Sequence, residues 1–185
     1  ATNGRLLATN KFLDGRISWI DLSGDGELAA VAGIGYSAIV NASTLQLTVP
    51  LMTPTTNRVA SIHFSPNRKW ILSAGTDGTT RLWEVQTGRQ VGLDLRTKSS
   101  VRHSAFSPDS TKVAAGLRNG DVLLWEVPSG KALDVVLHHK SIVWKVQFSP
   151  DGKIIATASD DHEARLWDAS TGALLAILPH RNCVV

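Results

Sequence analysis

Apolar and polar positions alternate along this chain in short bursts of about five residues, separated by turn-forming clusters. The pattern is plainest near the C-terminal end. Val143 to Phe148 mixes β-branched, aromatic and polar residues and predicts a strand. Ser149-Pro-Asp-Gly152 predicts a turn, because Pro pre-sets φ and Gly accepts a positive one. Ile154 to Ser159, apolar at consecutive positions, predicts a second strand buried on both faces. Asp160-Asp161-His162 turns the chain into a third strand, Ala164 to Trp167. Ala169-Ser-Thr-Gly172 turns it again into a fourth, Ala173 to Leu178. No segment carries a helical period over three turns. The prediction is all-β, in antiparallel meanders of four short strands.

The same punctuation returns every 42 residues. Ser65-Pro66, Ser107-Pro108 and Ser149-Pro150 keep that spacing, as do Trp83, Trp125 and Trp167, and Gly88, Gly130 and Gly172. One period further back stand Ser23-Gly24, Asn41 in place of Trp, and Gln46 in place of Gly. That first copy is degenerate, but Ile17 to Leu22 matches the phase of Val59 to Phe64. The expected units run over approximately 5–46, 47–88, 89–130 and 131–172, with partial repeats at both ends of one domain spanning 1–185. Arg5 to Thr9 shares the phase of the last predicted strand, so the chain reads as a window on a longer array. A meander apolar on both faces cannot bury itself. Radial stacking of four-stranded antiparallel blades, a β-propeller, solves that problem.

Composition excludes several other classes. No run of 18 apolar residues exists to make a membrane helix. Cys183 is the single cysteine, so no internal disulfide can staple a secreted scaffold. No targeting segment is visible, and the expectation is a cytoplasmic protein. The net charge of +3 comes from 19 basic and 16 acidic residues scattered along the chain, which argues against nucleic acid as the partner. No glycine pattern opening a helix and no paired His beside a carboxylate suggests a cofactor or a metal. Asn41-Ala-Ser43 matches a glycosylation acceptor by composition only.

Phe148-Ser-Pro-Asp-Gly152, the Ser159-Asp-Asp161 turn, Ala164-Arg-Leu-Trp-Asp168 and Thr171-Gly172 together resemble the WD-repeat family of β-propellers. The resemblance implies a structural hydrogen-bond tetrad of His, Ser or Thr, Asp and Trp. In the last repeat these are His139, Thr157 or Ser159, Asp161 and Trp167. The second repeat keeps Ser73, Asp77 and Trp83 but has Thr55 at the His position, and the third keeps Trp125 with Thr97 and Asn119. A His–Ser–Asp set also fits a hydrolase triad, but the Trp accounts for the same residues as a buried polar network.

The resemblance further implies a non-catalytic protein-binding scaffold, a regulatory signalling module whose partner docks on the rim where first strands begin. The residues there are Trp144 and Arg102, with Arg16, Arg58 and Ile142 just before first strands, and Arg118 and Asp160 in the turns after second strands. Trp and Arg are the residue types most enriched in binding hot spots. The alternative is a propeller hydrolase acting in the central channel, for which the innermost strands offer Asp21, His63 and His103. Further blades of a parent chain, or a second copy, are expected to complete the array.

Overall fold

The computed structural model describes residues 17–51 and 58–179. Among the described residues every regular element is a strand. The first sheet is β1 (Ile17–Leu22), β2 (Leu28–Gly33), β3 (Ser37–Asn41) and β4 (Leu47–Leu51). The second is β5 (Val59–Phe64), β6 (Trp70–Gly75), β7 (Thr79–Glu84) and β8 (Gln90–Arg96). The third is β9 (Val101–Phe106), β10 (Lys112–Leu117), β11 (Asp121–Glu126) and β12 (Ala132–His138), and the fourth β13 (Val143–Phe148), β14 (Ile154–Ser159), β15 (Glu163–Asp168) and β16 (Leu174–Pro179). Each is an antiparallel meander paired in chain order, which is the blade of a β-propeller. The sheets are offset from the sequence units: β4, for example, lies in the span 47–88.

The blades stack because their faces are apolar. Three cores fill the three spaces between consecutive sheets. Ala30, Ile39, Ile62 and Trp83 form the first, Leu72, Leu82, Val101 and Trp125 the second, and Ala114, Leu124, Val146 and Trp167 the third. One Trp therefore seals each interface. The innermost strands also touch directly: β1 packs on β5, β5 on β9, and β9 on β13. Hydrogen bonds stitch these strands together, with Ser18 Oγ donating to Val59 O (2.7 Å) and the Ser61 and Ser104 hydroxyls 2.8 Å apart.

The serine turns repeat in all four sheets whether or not Pro follows. Ser23 Oγ accepts from Leu28 N–H at 2.9 Å and donates to Asp25 at 2.6 Å, as Ser107 does with Lys112 (2.9 Å) and Asp109 (2.6 Å). Two strands of the last sheet are shifted or extended from expectation by one residue at each end. The third strand of the last sheet begins at Glu163, which pairs with Pro179. The fourth begins at Leu174, because the carbonyl of Ala173 closes the preceding turn by accepting from Asp168 N–H at 2.8 Å.

The first sheet corrects the expectation at Asn41 and Gln46. Val40 pairs with Ala29 as Trp83 pairs with Ile71, so Val40 occupies the Trp position. Asn41 then stands where Asp168 does. Its Oδ1 accepts from the Ser43 and Thr44 amides (3.0 and 2.9 Å), as Asp168 Oδ1 accepts from Ser170 and Thr171 (2.9 and 2.8 Å). Leu45, at φ 57°, replaces the turn glycine that is Gly172 at φ 73°. Between its last paired residues the β2–β3 hairpin is one residue shorter than its counterpart, Ala32 pairing with Ser37 where Ala74 pairs with Thr80, and a strict period misaligns the rest of that sheet.

Exposure separates the first and fourth sheets from the two between them. Ile20 is 60% exposed where its counterparts Ile62 and Val146 are 0%, and Leu22 is 58% exposed where Phe64, Phe106 and Phe148 are under a tenth. On the fourth sheet Ala156, Leu175 and Ile177 are exposed, whereas Ala114 is buried and Leu133 and Val135 are half-buried. The remainder of the first sheet's outward face is closed by its own small residues, Ala29, Val31, Ala38 and Val40.

Candidate functional site

Every first strand carries the same β-bulge at its second residue. Ile17 and Trp19 pair with consecutive residues of β2, which leaves Ser18 extra. Ala60, Arg102 and Trp144 are extra in the same way. A bulge leaves one residue unpaired and re-aims its side chain. All four bulge residues line one cavity of about 320 Å³ where the first strands begin, joined there by Arg58, Thr76, Trp19, His103 and Lys145. The structure thus brings together Arg58, Arg102 and Trp144 of the expected rim. The Arg102 guanidinium lies 5.0 Å over the Trp144 ring.

Electrostatically the cavity is one-sided. Arg58, Arg102 and Lys145 line it, and among the described residues no acidic one does. Among the described residues none of these three cations has an ion-pair partner. Arg102 Nε is buried and makes no hydrogen bond. Ser18 and Thr76 are committed to backbone carbonyls, Thr76 Oγ1 donating to Arg58 O at 3.2 Å.

Below this mouth the axis is filled. Trp19 meets His63 and His103 edge-on, with ring centroids 5.5 and 5.4 Å away, and the two imidazoles are 5.2 Å apart. Burial holds His63 neutral, down to about 4, with the Lys145 ammonium adding to the shift. Burial also takes His103 down to about 3, with further contributions from His63 and Lys145. Trp19, His103 and Lys145 also line a cavity of about 360 Å³ at the opposite end. There Asp21 Oδ2 accepts from Phe64 N–H at 2.8 Å and stays 3.9 Å from His63 Nδ1, beyond hydrogen-bond reach. Burial raises the Asp21 carboxyl above its ordinary value, against the pull of the Phe64 and Leu22 amides. Asp21, His63 and His103 therefore line the axis as expected, but no hydroxyl or thiol hydrogen-bonds to either imidazole among the described residues. Nor do three His, Cys, Asp or Glu side chains converge there.

The fourth sheet assembles the tetrad, and it does so through Thr157. Trp167 Nε1–H donates to Thr157 Oγ1 (2.8 Å), Thr157 lies 2.7 Å from His139 Nε2, and His139 Nδ1 lies 2.9 Å from Asp161 Oδ2. A neutral imidazole satisfies this chain with indole donating to hydroxyl, hydroxyl to Nε2, and Nδ1–H to carboxylate. Burial lowers the His139 pKa accordingly, although Asp161 opposes the shift. Burial pushes the Asp161 carboxyl up, but the Lys140 amide and His139 together hold it below its usual value. Ser159 takes another role, donating to Ser141 O at 3.0 Å and accepting from Asp161 N–H at 3.1 Å.

The other sheets keep only parts. Trp83 Nε1–H donates to Ser73 at 2.7 Å, while Asp77 accepts from Thr79 N–H and Oγ1–H at 3.0 and 2.6 Å. Trp125 faces Ala115 at the hydroxyl position, and Asn119 donates to Asp121 at 2.7 Å. Thr97 caps local carbonyls, donating to Gly78 O at 2.9 Å. Thr55 lies outside the described residues.

The profile of the family described as WD domain, G-beta repeat, matches residues 48–84, 93–126 and 130–168, more than half of the chain. The chain belongs to this family. WD repeats build protein-interaction scaffolds, and the proteins that carry them are generally non-catalytic. The chain is also 33% identical over 76 residues to U3 small nucleolar RNA-associated protein 21 of Saccharomyces cerevisiae, a match covering 41% of this chain. It spans only 8% of that relative's length.

Within the WD-repeat frame, the remaining rim residues stay apart from the mouth. Arg118, Asp160 and Ile142 sit on their own turns, where Arg118 N–H donates to Ser100 O and Asp160 N–H to Ile142 O, both at 2.9 Å. Arg16 lies outside the described residues. Trp19 and Lys145 escaped the sequence reading, although the signal was present. They share the 42-residue phase of Ser61 and His103, each standing two residues before Asp21, His63, Ala105 or Gln147, so the four mark one layer of the axis.

Proposed function

We propose that the chain is a non-catalytic, protein-binding WD-repeat portion of a longer regulatory scaffold, and that its partner docks at the mouth of the axis. The observation that carries this reading is the fourfold bulge, which turns Arg102 and Trp144 into one cavity beside Arg58. Arg and Trp on a rigid strand framework are well suited to anchor a partner. The neutral, space-filling histidines and the carboxylate of Asp21, already bonded to a backbone amide, favour a structural axis over a hydrolytic one. Further blades of the same polypeptide would cover Ile20, Leu22, Leu175 and Ile177; a second copy is the other way to close the array.

Quantitative mass spectrometry after affinity purification tests the reading, comparing the full-length protein with its Trp144→Ala variant. Specific loss of a protein partner at unchanged expression supports it. An identical set of co-purifying proteins overturns it.

A second reading rests on the yeast relative, whose name associates it with U3 small nucleolar RNA. On that reading the scaffold serves a nucleolar ribonucleoprotein rather than a cytoplasmic signalling protein. Imaging of the tagged full-length protein separates the two: a nucleolar signal supports the second, an evenly cytoplasmic one the first.

A further inference from the structure

The cavity at the mouth is built for charge that it does not itself contain. Three cationic side chains from three successive sheets, Arg58, Arg102 and Lys145, face a space that no carboxylate lines among the described residues. The stretch 52–57 adjoining Arg58 contains no acidic residue either. Like charges are brought together at a cost, and Arg102 Nε adds a buried donor with nothing to receive it. An anion seated between them removes the first of these penalties.

We propose that the cavity receives a carboxylate side chain from an acidic segment of a partner protein. This rests on the reading of the chain as a protein-binding scaffold and gives the partner its chemistry. Arg102 is held in place by its stack on Trp144, so its planar fork is pre-organised to meet a carboxylate. Arg58, exposed at the lip, supplies the outer charge. A protein segment fits better than a nucleic acid strand. A strand needs a continuous basic groove with free aromatic faces on which bases stack. Here the cations gather at one half-open cavity, and the face of Trp144 is taken by Arg102.

Fluorescence anisotropy of the full-length protein with a labelled glutamate-rich peptide tests the proposal, with a lysine-rich peptide and an oligouridylate as competitors. The expected result is saturable binding of the acidic peptide, weakened about tenfold or more by Arg58→Glu or Arg102→Glu and weakened by added salt. Lys153→Glu, on an exposed turn at the far end of the first strands, leaves that affinity unchanged. Arg58→Glu removes no packed group, so an unchanged melting temperature accompanies its loss of binding. No saturable binding overturns the proposal. So does an equal loss in Lys153→Glu, or an oligouridylate that displaces the acidic peptide. If the acidic peptide fails while a protein partner still depends on Trp144, the carboxylate assignment falls and the scaffold reading stands.

Discussion

His139 Nε2 and Thr157 Oγ1 lie 2.7 Å apart, and this one contact joins the indole of Trp167 to the carboxylate of Asp161. Trp167 closes the third core, so the polar chain anchors the packing of the last two sheets. Asp161→Ala strands the imidazole and the Lys140 amide and is expected to cost roughly 1–3 kcal/mol. Thr157→Val leaves the Trp167 indole N–H and His139 Nε2 without a partner and should cost at least as much. Asn119→Ala removes an exposed contact to Asp121 and should cost less. Denaturant midpoints of the three variants check the order, and an Asn119→Ala loss equal to that of Asp161→Ala contradicts it.

Acid should weaken the fold through the axis. His63 and His103 are held neutral, at about 4 and about 3, against an ordinary value of 6.5. As pH falls from 6.5 the unfolded chain takes up protons that the folded one refuses, so stability declines down to the folded values. Each refusing histidine contributes a slope of about 1.4 kcal/mol per pH unit. Replacing both by Gln should flatten stability between pH 6.5 and about 4. Denaturation at a series of pH values tests this, and an unchanged slope in the double variant counts against it. Asp161 acts further down: its contribution is complete above the unfolded carboxyl pKa and disappears as pH falls through its lowered folded value.

Much of this architecture was legible because residues such as Trp83, Trp125 and Trp167 recur at one spacing and each seals one interface. The turns between strands followed from Ser149-Pro-Asp-Gly152 and Thr171-Gly172, whose backbone demands are local, while the 42-residue units cut each sheet before its fourth strand. The first sheet was misaligned after Gly33 because a shortened turn leaves no mark on composition, and because Leu45 accepts a left-handed φ of 57° where Gly was expected. The mouth was half legible. Arg58, Arg102 and Trp144 stood out by type, yet only the bulge pairing explains why residues on three different sheets meet. Lys145 shares the 42-residue phase of His103, but a period of two places it away from Trp144, and the bulge that brings both to the mouth leaves no mark on composition.

The isolated stretch of residues 1–185 should associate with itself. Ile20, Leu22, Leu175 and Ile177 are exposed at positions that neighbouring blades cover elsewhere, and apolar patches of that kind seek cover. Light scattering at micromolar concentration should report oligomers and a hydrophobic dye should bind. Leu175→Lys combined with Ile177→Lys should reduce both. A monodisperse monomer that leaves the dye dark speaks against completion by further blades or a second copy.

The account stands or falls most directly on Trp144, half-buried beneath Arg102 at the mouth. The decisive measurement is the affinity of the purified protein partner for the wild-type full-length protein and for Trp144→Ala, read with both melting temperatures. An anchoring aromatic is worth about 2 kcal/mol or more, so binding should weaken by about thirtyfold while the melting temperature stays near that of the wild type. Unchanged affinity with a large fall in melting temperature would return Trp144 to the packing of its blade and contradict the assignment of the mouth as the recognition site.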